Sequence, residues 1–114
     1  MIYEWDGLDP PPDFDQKLAD SYLGKYILVG VTYLDFLGQE VERIQMHGLV
    51  HMVSPVGIEI KLEGARKGET WVMPPRLDAI HEAEPGTYKL HSTNEEVEDP
   101  DLVSTWSVTK PALN

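Results

Sequence analysis

The stretch 25–63 constrains the fold of this chain most strongly, because it has the pattern of three consecutive antiparallel strands. Apolar and charged side chains alternate strictly near its end: Ile58, Glu59, Ile60, Lys61, Leu62 and Glu63. A two-residue period places alternate side chains on opposite faces of a strand, so this part predicts a strand with one buried face. Gly30 and Gly48 lie inside the two preceding strands and suit the bends that small barrels need. The stretch therefore predicts the backbone of a small β-barrel.

Further segments rich in β-branched and aromatic residues follow this stretch and are separated by turn signals. The full set of predicted strands is 25–35, 40–53, 57–63, 69–73, 87–91 and 102–109. Apolar side chains occur in both registers of the first strand, which predicts burial on both of its faces over part of its length. Short strands at a spacing of about ten residues favour a small barrel or sandwich over a parallel α/β fold. We therefore predict a mainly β protein, with five to six strands in a small antiparallel β-barrel, a short N-terminal helix and a one-turn 3₁₀ helix at 77–80.

The region before the predicted barrel divides into a connector and a short helix. Pro10-Pro11-Pro12 cannot continue a strand ladder, so residues 1–12 are expected to form a proline-rich flap. Asp13 suits the N-cap of a helix over 13–23, and residues 13–114 are expected to form a single domain. Three apolar side chains recur at helical spacing and are expected to cover one end of the barrel: Phe14, Leu18 and Tyr22.

The composition restricts the class of protein. With 114 residues the chain is long enough to bury a core without disulfides, and it contains no cysteine, which excludes a disulfide framework and a thiolate zinc site. Its beginning is acidic where a signal peptide is basic, and no apolar run approaches the roughly 20 residues that span a bilayer. We therefore expect a cytoplasmic protein without a membrane partner.

The net charge of −11 is unevenly distributed along the chain. Residues 1–24 carry six acids and one lysine, residues 25–76 carry six acids and six bases, and residues 77–114 carry eight acids and two lysines. The predicted barrel strands are thus balanced, and the excess charge lies on the flanks. Such a surface repels phosphate backbones, which argues against nucleic-acid binding. It favours a basic protein partner, and the alternative reading is that the charge serves solubility alone.

Two histidines of the long second strand invite a metal-site interpretation. His47 and His51 share a face of that strand, but four residues of strand separate them by about 13 Å, which is too far for one ion. On a helix, two histidines four residues apart can bind the same metal ion, but this spacing does not bring them together on a strand. We therefore predict no metal site and expect both side chains to face solvent.

Asp78, His81 and Glu82 are the best candidates for a catalytic cluster. If residues 77–82 form a helical turn, spacings of three and four residues place the three side chains on one side. A carboxylate beside an imidazole can orient the ring as a general base or help to hold a divalent cation. The alternative interpretation is a hydrated surface turn after two prolines.

Specific catalytic and cofactor motifs are missing from the sequence. The glycine-bounded basic loop at 64–68 lacks the ending and the strand–loop–helix setting of a phosphate-binding loop. The serine-nucleophile motif G-x-S-x-G does not occur. We therefore predict no cofactor.

Two segments resemble known proteins. HGLVHMVSPVGIEIKLEG at 47–64, followed by GETWVMPPRLDAI at 68–80, resembles the strongly bent strand pair of SH3-like and Sm-like barrels. PPRLDAIHEAEPGTYKL at 74–90 is similar to small bacterial proteins of uncharacterised function and implies no activity. The chain departs from Sm proteins because it lacks their Asp–Met/Leu–Asn loop and their Arg-Gly turn, so RNA binding is not implied.

Three functions follow from these patterns and compete. The first is an acidic interaction or adaptor protein of the immunity type, which binds a basic partner through its acidic flanks; five carboxylates are the candidate contacts: Glu95, Glu96, Glu98, Asp99 and Asp101. The second is a small enzyme or a ligand-binding or metal-binding barrel that uses Asp78, His81 and Glu82. The third is an Sm-like RNA-binding ring, which would need a basic surface. Exposed edges of small open barrels often pair, so a homodimer through a strand edge is also compatible with the pattern.

Overall fold

The structure is a computed structural model that describes residues 14–109. The predicted flap at 1–12 and the predicted N-cap Asp13 lie outside this range. Of the described residues, 53% are in strands and 12% in helices, so the mainly β class is confirmed. The elements are α1 (Gln16–Ser21), β1 (Tyr26–Leu34), β2 (Glu40–Ser54), β3 (Gly57–Leu62), β4 (Thr70–Met73), β5 (Ile80–Glu82), β6 (Thr87–Lys89), β7 (Glu96–Glu98) and β8 (Leu102–Thr109), with 3₁₀ turns at Gly64–Arg66 and Leu77–Ala79.

Six strands form one open sheet in the order β4-β3-β2-β1-β8-β5, and β6 and β7 form a separate hairpin. Closure into a barrel is not confirmed, because no pairing within residues 14–109 joins the edge strands β4 and β5. The sheet also departs from the antiparallel prediction: β8 pairs with β1 in parallel, from Ile27 opposite Leu102 to Leu34 opposite Thr109. Alternation along a strand shows which face is buried, but it does not show which neighbour the strand will take or in which direction, and that is why this pairing was missed.

The hairpin between β1 and β2 forms where the sequence predicts it. The Asp35 carboxylate accepts hydrogen bonds from the backbone amides of Leu37 and Gln39, both at 2.9 Å. Gly38 has a φ of 84°, which other residues rarely adopt. These contacts reverse the chain and set the antiparallel register of β1 and β2.

The main core lies on one face of the six-stranded sheet. Its fully buried members include Ile27, Val29, Val31, Ile58, Ile60 and Met73. A second cluster covers the other face of β1, where Leu28 packs with Leu90 and Val97 from the β6–β7 hairpin. The predicted burial of both faces of β1 is therefore confirmed.

Two local predictions are corrected. The helix α1 begins at Gln16 after the N-cap Asp15, and its buried residue is Ala19, whereas Leu18 of the predicted stripe remains 42% exposed. The stretch 94–101, which lies between the predicted strands 87–91 and 102–109, contains a further strand, β7, with Val97 only 5% exposed. One apolar residue between two glutamates is too short a pattern to indicate a strand, and only contact with the second cluster shows it.

No helix within the described range is long and apolar enough to cross a membrane.

Candidate functional site

The structure does not bring the predicted cluster Asp78, His81 and Glu82 together. The 3₁₀ turn ends at Ala79, and His81 and Glu82 are successive residues of β5, so their side chains leave the strand in opposite directions. Asp78 instead accepts two hydrogen bonds from Arg76, at 3.0 and 2.6 Å. These bonds lower the pKa of Asp78 most, burial opposes this, and the charges of Arg76 and His81 lower the pKa further. All three predicted residues are exposed, and no helical face unites them.

An open groove of about 1040 Å³ lies between α1, β5 and the residues that lead into β8. We call it the acidic groove. Its apolar lining consists of Leu18, Tyr22, Ile80, Ala83, Pro85, Pro100 and Leu102. Its charged and polar lining consists of Glu82, Asp99, Asp101, Lys25, His81 and Ser21. Three carboxylates and one lysine therefore line this groove together with apolar side chains.

The charge of Glu82 acts within the groove. Burial raises the pKa of the Tyr22 hydroxyl, and the negative charge of Glu82 raises it further. Tyr22 also packs against the main core, and both Tyr22 and Glu82 line the groove.

Asp99 and Asp101 are held rigidly at the rim of the groove. The backbone amide of Gly86 donates to the Asp99 carboxylate at 2.8 Å, and the Asp99 amide donates back to the Gly86 carbonyl at 2.8 Å. The Tyr26 amide likewise donates to the Asp101 carboxylate at 2.9 Å, and the Asp101 amide donates to the Tyr26 carbonyl at 2.9 Å. Each carboxylate thus has one oxygen fixed by the backbone and a second oxygen that remains available to a partner.

A hydrogen-bonded network of three side chains fixes the neighbouring hairpin. Tyr26 Oη lies 2.6 Å from His47 Nδ1, and His47 Nε2 lies 3.2 Å from Glu95 Oε2. The expectation that His47 faces solvent was wrong, because it is only 7% exposed; His51 is exposed as expected. In the part of the chain that the structure describes, no group of three or more His, Asp or Glu side chains is arranged to hold a metal ion.

The proton positions in this network depend on which groups of Glu95, His47 and Tyr26 can donate a hydrogen bond and which can accept one. An ionised Glu95 only accepts hydrogen bonds, so the Nε2–H of His47 donates to it; when the imidazole is neutral, Nδ1 accepts from the Tyr26 hydroxyl. The Thr93 hydroxyl lowers the pKa of Glu95 most, burial opposes this, and His47 and the Ala65 amide lower it further. Burial, Glu63 and Glu95 raise the pKa of Tyr26. A phenol with a raised pKa remains protonated, which suits a structural donor and does not suit a nucleophile.

Gly64 allows this network to form. It has a φ of 67°, and a Cβ at this position would overlap the Glu95 carboxylate and approach His47 Nε2 to 2.7 Å. The Ala65 amide donates to the same carboxylate at 3.1 Å. The turn after β3 is therefore fitted closely around the Glu95 side chain.

The five carboxylates predicted to contact a partner divide between these features. Glu95 belongs to the buried network. Glu96 and Glu98 are exposed and, with Asp99, border a smaller cleft of about 400 Å³ beside Tyr26 and His47. Asp99 and Asp101 line the acidic groove.

Sequence reasoning missed Tyr26, His47 and Glu95 as a unit, although one signal was present. His47 lies directly opposite Leu28 in the β1–β2 register, and Leu28 lies on the second face of β1 that the sequence predicts to be buried. A cover over Leu28 also covers its neighbour on β2, so the burial of His47 follows from the burial of that face.

No protein-family model matches this chain, and no curated protein or solved structure matches it either. Function is therefore inferred from the residues of the chain and their geometry.

Proposed function

We propose that this protein is an interaction module that binds a basic protein partner in the acidic groove. The observation that supports this proposal is the combination of an exposed apolar surface with three carboxylates, two of them fixed by backbone hydrogen bonds. The partner is expected to present an aliphatic or aromatic side chain flanked by lysines or arginines. An adaptor or an immunity-type protein that neutralises a basic partner has these requirements.

The two parts of the groove contribute differently to binding. Burying the exposed part of Leu18 and the neighbouring apolar surface supplies affinity, at about 25 cal/mol for each Å² removed from water. The carboxylates and the net charge of −11 attract a basic partner over a distance and accelerate association at low salt. The rigid placement of Asp99 and Asp101 reduces the entropy lost on binding.

The resemblance to SH3-like and Sm-like proteins remains a proposal about the fold. The feature that supports it is Gly48, at which a Cβ would overlap the Lys61 carbonyl, so β2 and β3 approach each other closely at the position of the predicted bend. We also propose a cytoplasmic location, on the ground that the chain contains no cysteine. Catalysis by Asp78, His81 and Glu82 is not part of the proposal, because their side chains do not converge.

A direct test measures the binding of a synthetic peptide of alternating leucine and lysine. We expect Glu82→Gln to weaken binding by about two- to fivefold at low salt, since an exposed ion pair contributes about 0.2–1 kcal/mol. The matched control is Glu69→Gln, which makes the same change of charge beside β4 at the opposite edge of the sheet. Equal affinities for the two variants would show that the groove is not the binding site.

A second test identifies the natural partner. The wild-type protein and the Glu82→Gln variant are used to capture proteins from native lysate at low and at high salt. A basic protein that is retained at low salt, released at high salt and retained less by the variant would support the proposal. Finding no partner that depends on salt would contradict it.

A further inference from the structure

The outer edge of β4 is free within residues 14–109, and its hydrogen-bonding groups can be assigned. The Leu62 amide donates to the Glu69 carbonyl at 2.9 Å, which makes these two residues a hydrogen-bonded pair of the β3–β4 ladder. Hydrogen-bonded pairs alternate with non-bonded pairs in an antiparallel ladder. Trp71 and Met73 therefore bond to β3, and the backbone N–H and C=O groups of Thr70 and Val72 point away from the sheet.

Exposed apolar side chains lie next to this edge. Val72 is 55% exposed and lies opposite Glu59 of β3. Glu59 in turn lies opposite Met52 of β2, which is 51% exposed. Val56, in the turn between β2 and β3, is 63% exposed. The edge is thus bordered by apolar surface as well as by unpaired backbone groups.

The charge around this edge distinguishes between possible occupants. Residues 57–72 carry three acids and three bases, in a chain whose net charge is −11. The acids are Glu59, Glu63 and Glu69, and the bases are Lys61, Arg66 and Lys67. Two copies of the chain repel each other because of their net charge, and this repulsion is smallest when they meet at a neutral edge. A basic partner, in contrast, is attracted to the acidic groove at the other side of the sheet.

We propose that the β4 edge pairs with the β4 edge of a second copy of this chain. In an antiparallel arrangement around a two-fold axis, Thr70 of each copy faces Val72 of the other, and the two Trp71 residues face each other. This register is self-complementary, because the residues whose backbone groups point outward meet in two hydrogen-bonded pairs. Pro74 limits the length of the edge, so the dimer forms weakly and depends on protein concentration.

Sedimentation of the full chain over a range of concentrations tests this dimer. Val72→Lys is expected to raise the dimer dissociation constant by about tenfold or more, because a lysine on an edge strand hinders edge pairing. The matched control is Val41→Lys, at a valine that is 56% exposed near the β1–β2 hairpin. Both substitutions make the net charge less negative and weaken general repulsion, so a loss of association in the first variant alone cannot result from net charge.

Two further measurements test whether the dimer forms through the β4 edge. Thr70→Pro removes an outward N–H without removing a β3–β4 hydrogen bond and is expected to weaken the dimer in the same way. Amide exchange at Thr70 and Val72 is expected to slow as the concentration of the wild-type protein rises. A protein that remains monomeric at all concentrations would overturn the proposal. A dimer that Val72→Lys and Val41→Lys weaken equally, or that leaves these two amides unprotected, would also overturn it.

Salt separates this proposal from the proposed function. Screening reduces the repulsion between two acidic copies, so the dimer is expected to strengthen as salt is added, whereas binding of a basic partner weakens. The failure of either proposal therefore leaves the other intact.

Discussion

At the level of single residues, Glu95 illustrates how hydrogen bonds connect one charge of an acidic segment to other elements of the fold. It accepts hydrogen bonds from His47 and from the Ala65 amide, and through them it connects β2, the turn after β3 and the segment before β7. Its sequence neighbours Glu96 and Glu98 remain exposed. No pattern in the sequence separates these three glutamates, because the partners of Glu95 come from residues 30 and 48 positions away.

Replacing Glu95 tests the network and its dependence on pH. We expect Glu95→Gln to lower the free energy of unfolding at neutral pH by about 1–2 kcal/mol, since a hydrogen-bonded carboxylate is lost. The pKa of Glu95 is lower in the folded protein than its ordinary value of 4.5, so its contribution is complete above that value and is lost as the pH falls through the folded pKa. Denaturant unfolding from neutral to acid pH should show the two proteins converging.

The control for this experiment is Glu96→Gln, which removes the same charge from an exposed neighbour. Its free energy of unfolding should differ little from that of the wild type. A difference between wild type and Glu95→Gln that stays constant with pH would contradict the assignment of an ionised Glu95.

Gly64 is the second residue whose role depends on its surroundings. Gly64→Ala is expected to lower the free energy of unfolding by about 1–3 kcal/mol, because a left-handed backbone is strained by a side chain and the new Cβ displaces Glu95. Gly24→Ala is the matched control: Gly24 has a φ of 78°, but a Cβ there meets nothing within 4 Å. Thermal unfolding should show the larger loss for Gly64→Ala, and equal losses would mean that the contact with Glu95 and His47 is unimportant.

At the level of elements, the β6–β7 hairpin connects the buried network with the acidic groove. Leu90 and Val97 pack on Leu28 of β1, and the residues that follow β7 include the rim carboxylates Asp99 and Asp101. Five of the six strands of the large sheet were predictable, because they are long enough to show alternation or two-sided burial, whereas β5 has only three residues and was predicted as part of a helical turn. The position of β7 was not predictable, because only the contact with β1 shows that its single apolar side chain is buried.

Val97→Ala tests this attachment. Removing part of a side chain that is 5% exposed is expected to lower the free energy of unfolding by about 1–3 kcal/mol and to speed amide exchange in the hairpin. Val41→Ala, at a position that is 56% exposed, should change the free energy of unfolding by less than about 0.5 kcal/mol. If the amides of the β6–β7 hairpin exchange at the same rate in Val97→Ala as in the wild type, the second cluster does not attach the hairpin to β1.

At the level of the whole molecule, charge and strand order together distinguish the two edges of the sheet. The edge at β5 borders the acidic groove, and the edge at β4 is electrically balanced. The uneven charge was visible in the sequence, because it follows from counting along the chain. The arrangement of this charge in space was not visible in the sequence, because it depends on the position of β8 between β1 and β5.

The parallel pairing of β1 with β8 has a consequence for the synthesis of the chain. β1 to β4 pair with their neighbours in sequence, so their hairpins can form while the nascent chain is still growing. One edge of β1 nevertheless stays uncovered until residues 102–109 have left the ribosome, and β5 has no strand partner before then. The native sheet is therefore completed after translation of its last strand. Until that moment the backbone N–H and C=O groups on one edge of β1 lack the partners that they have in the native sheet.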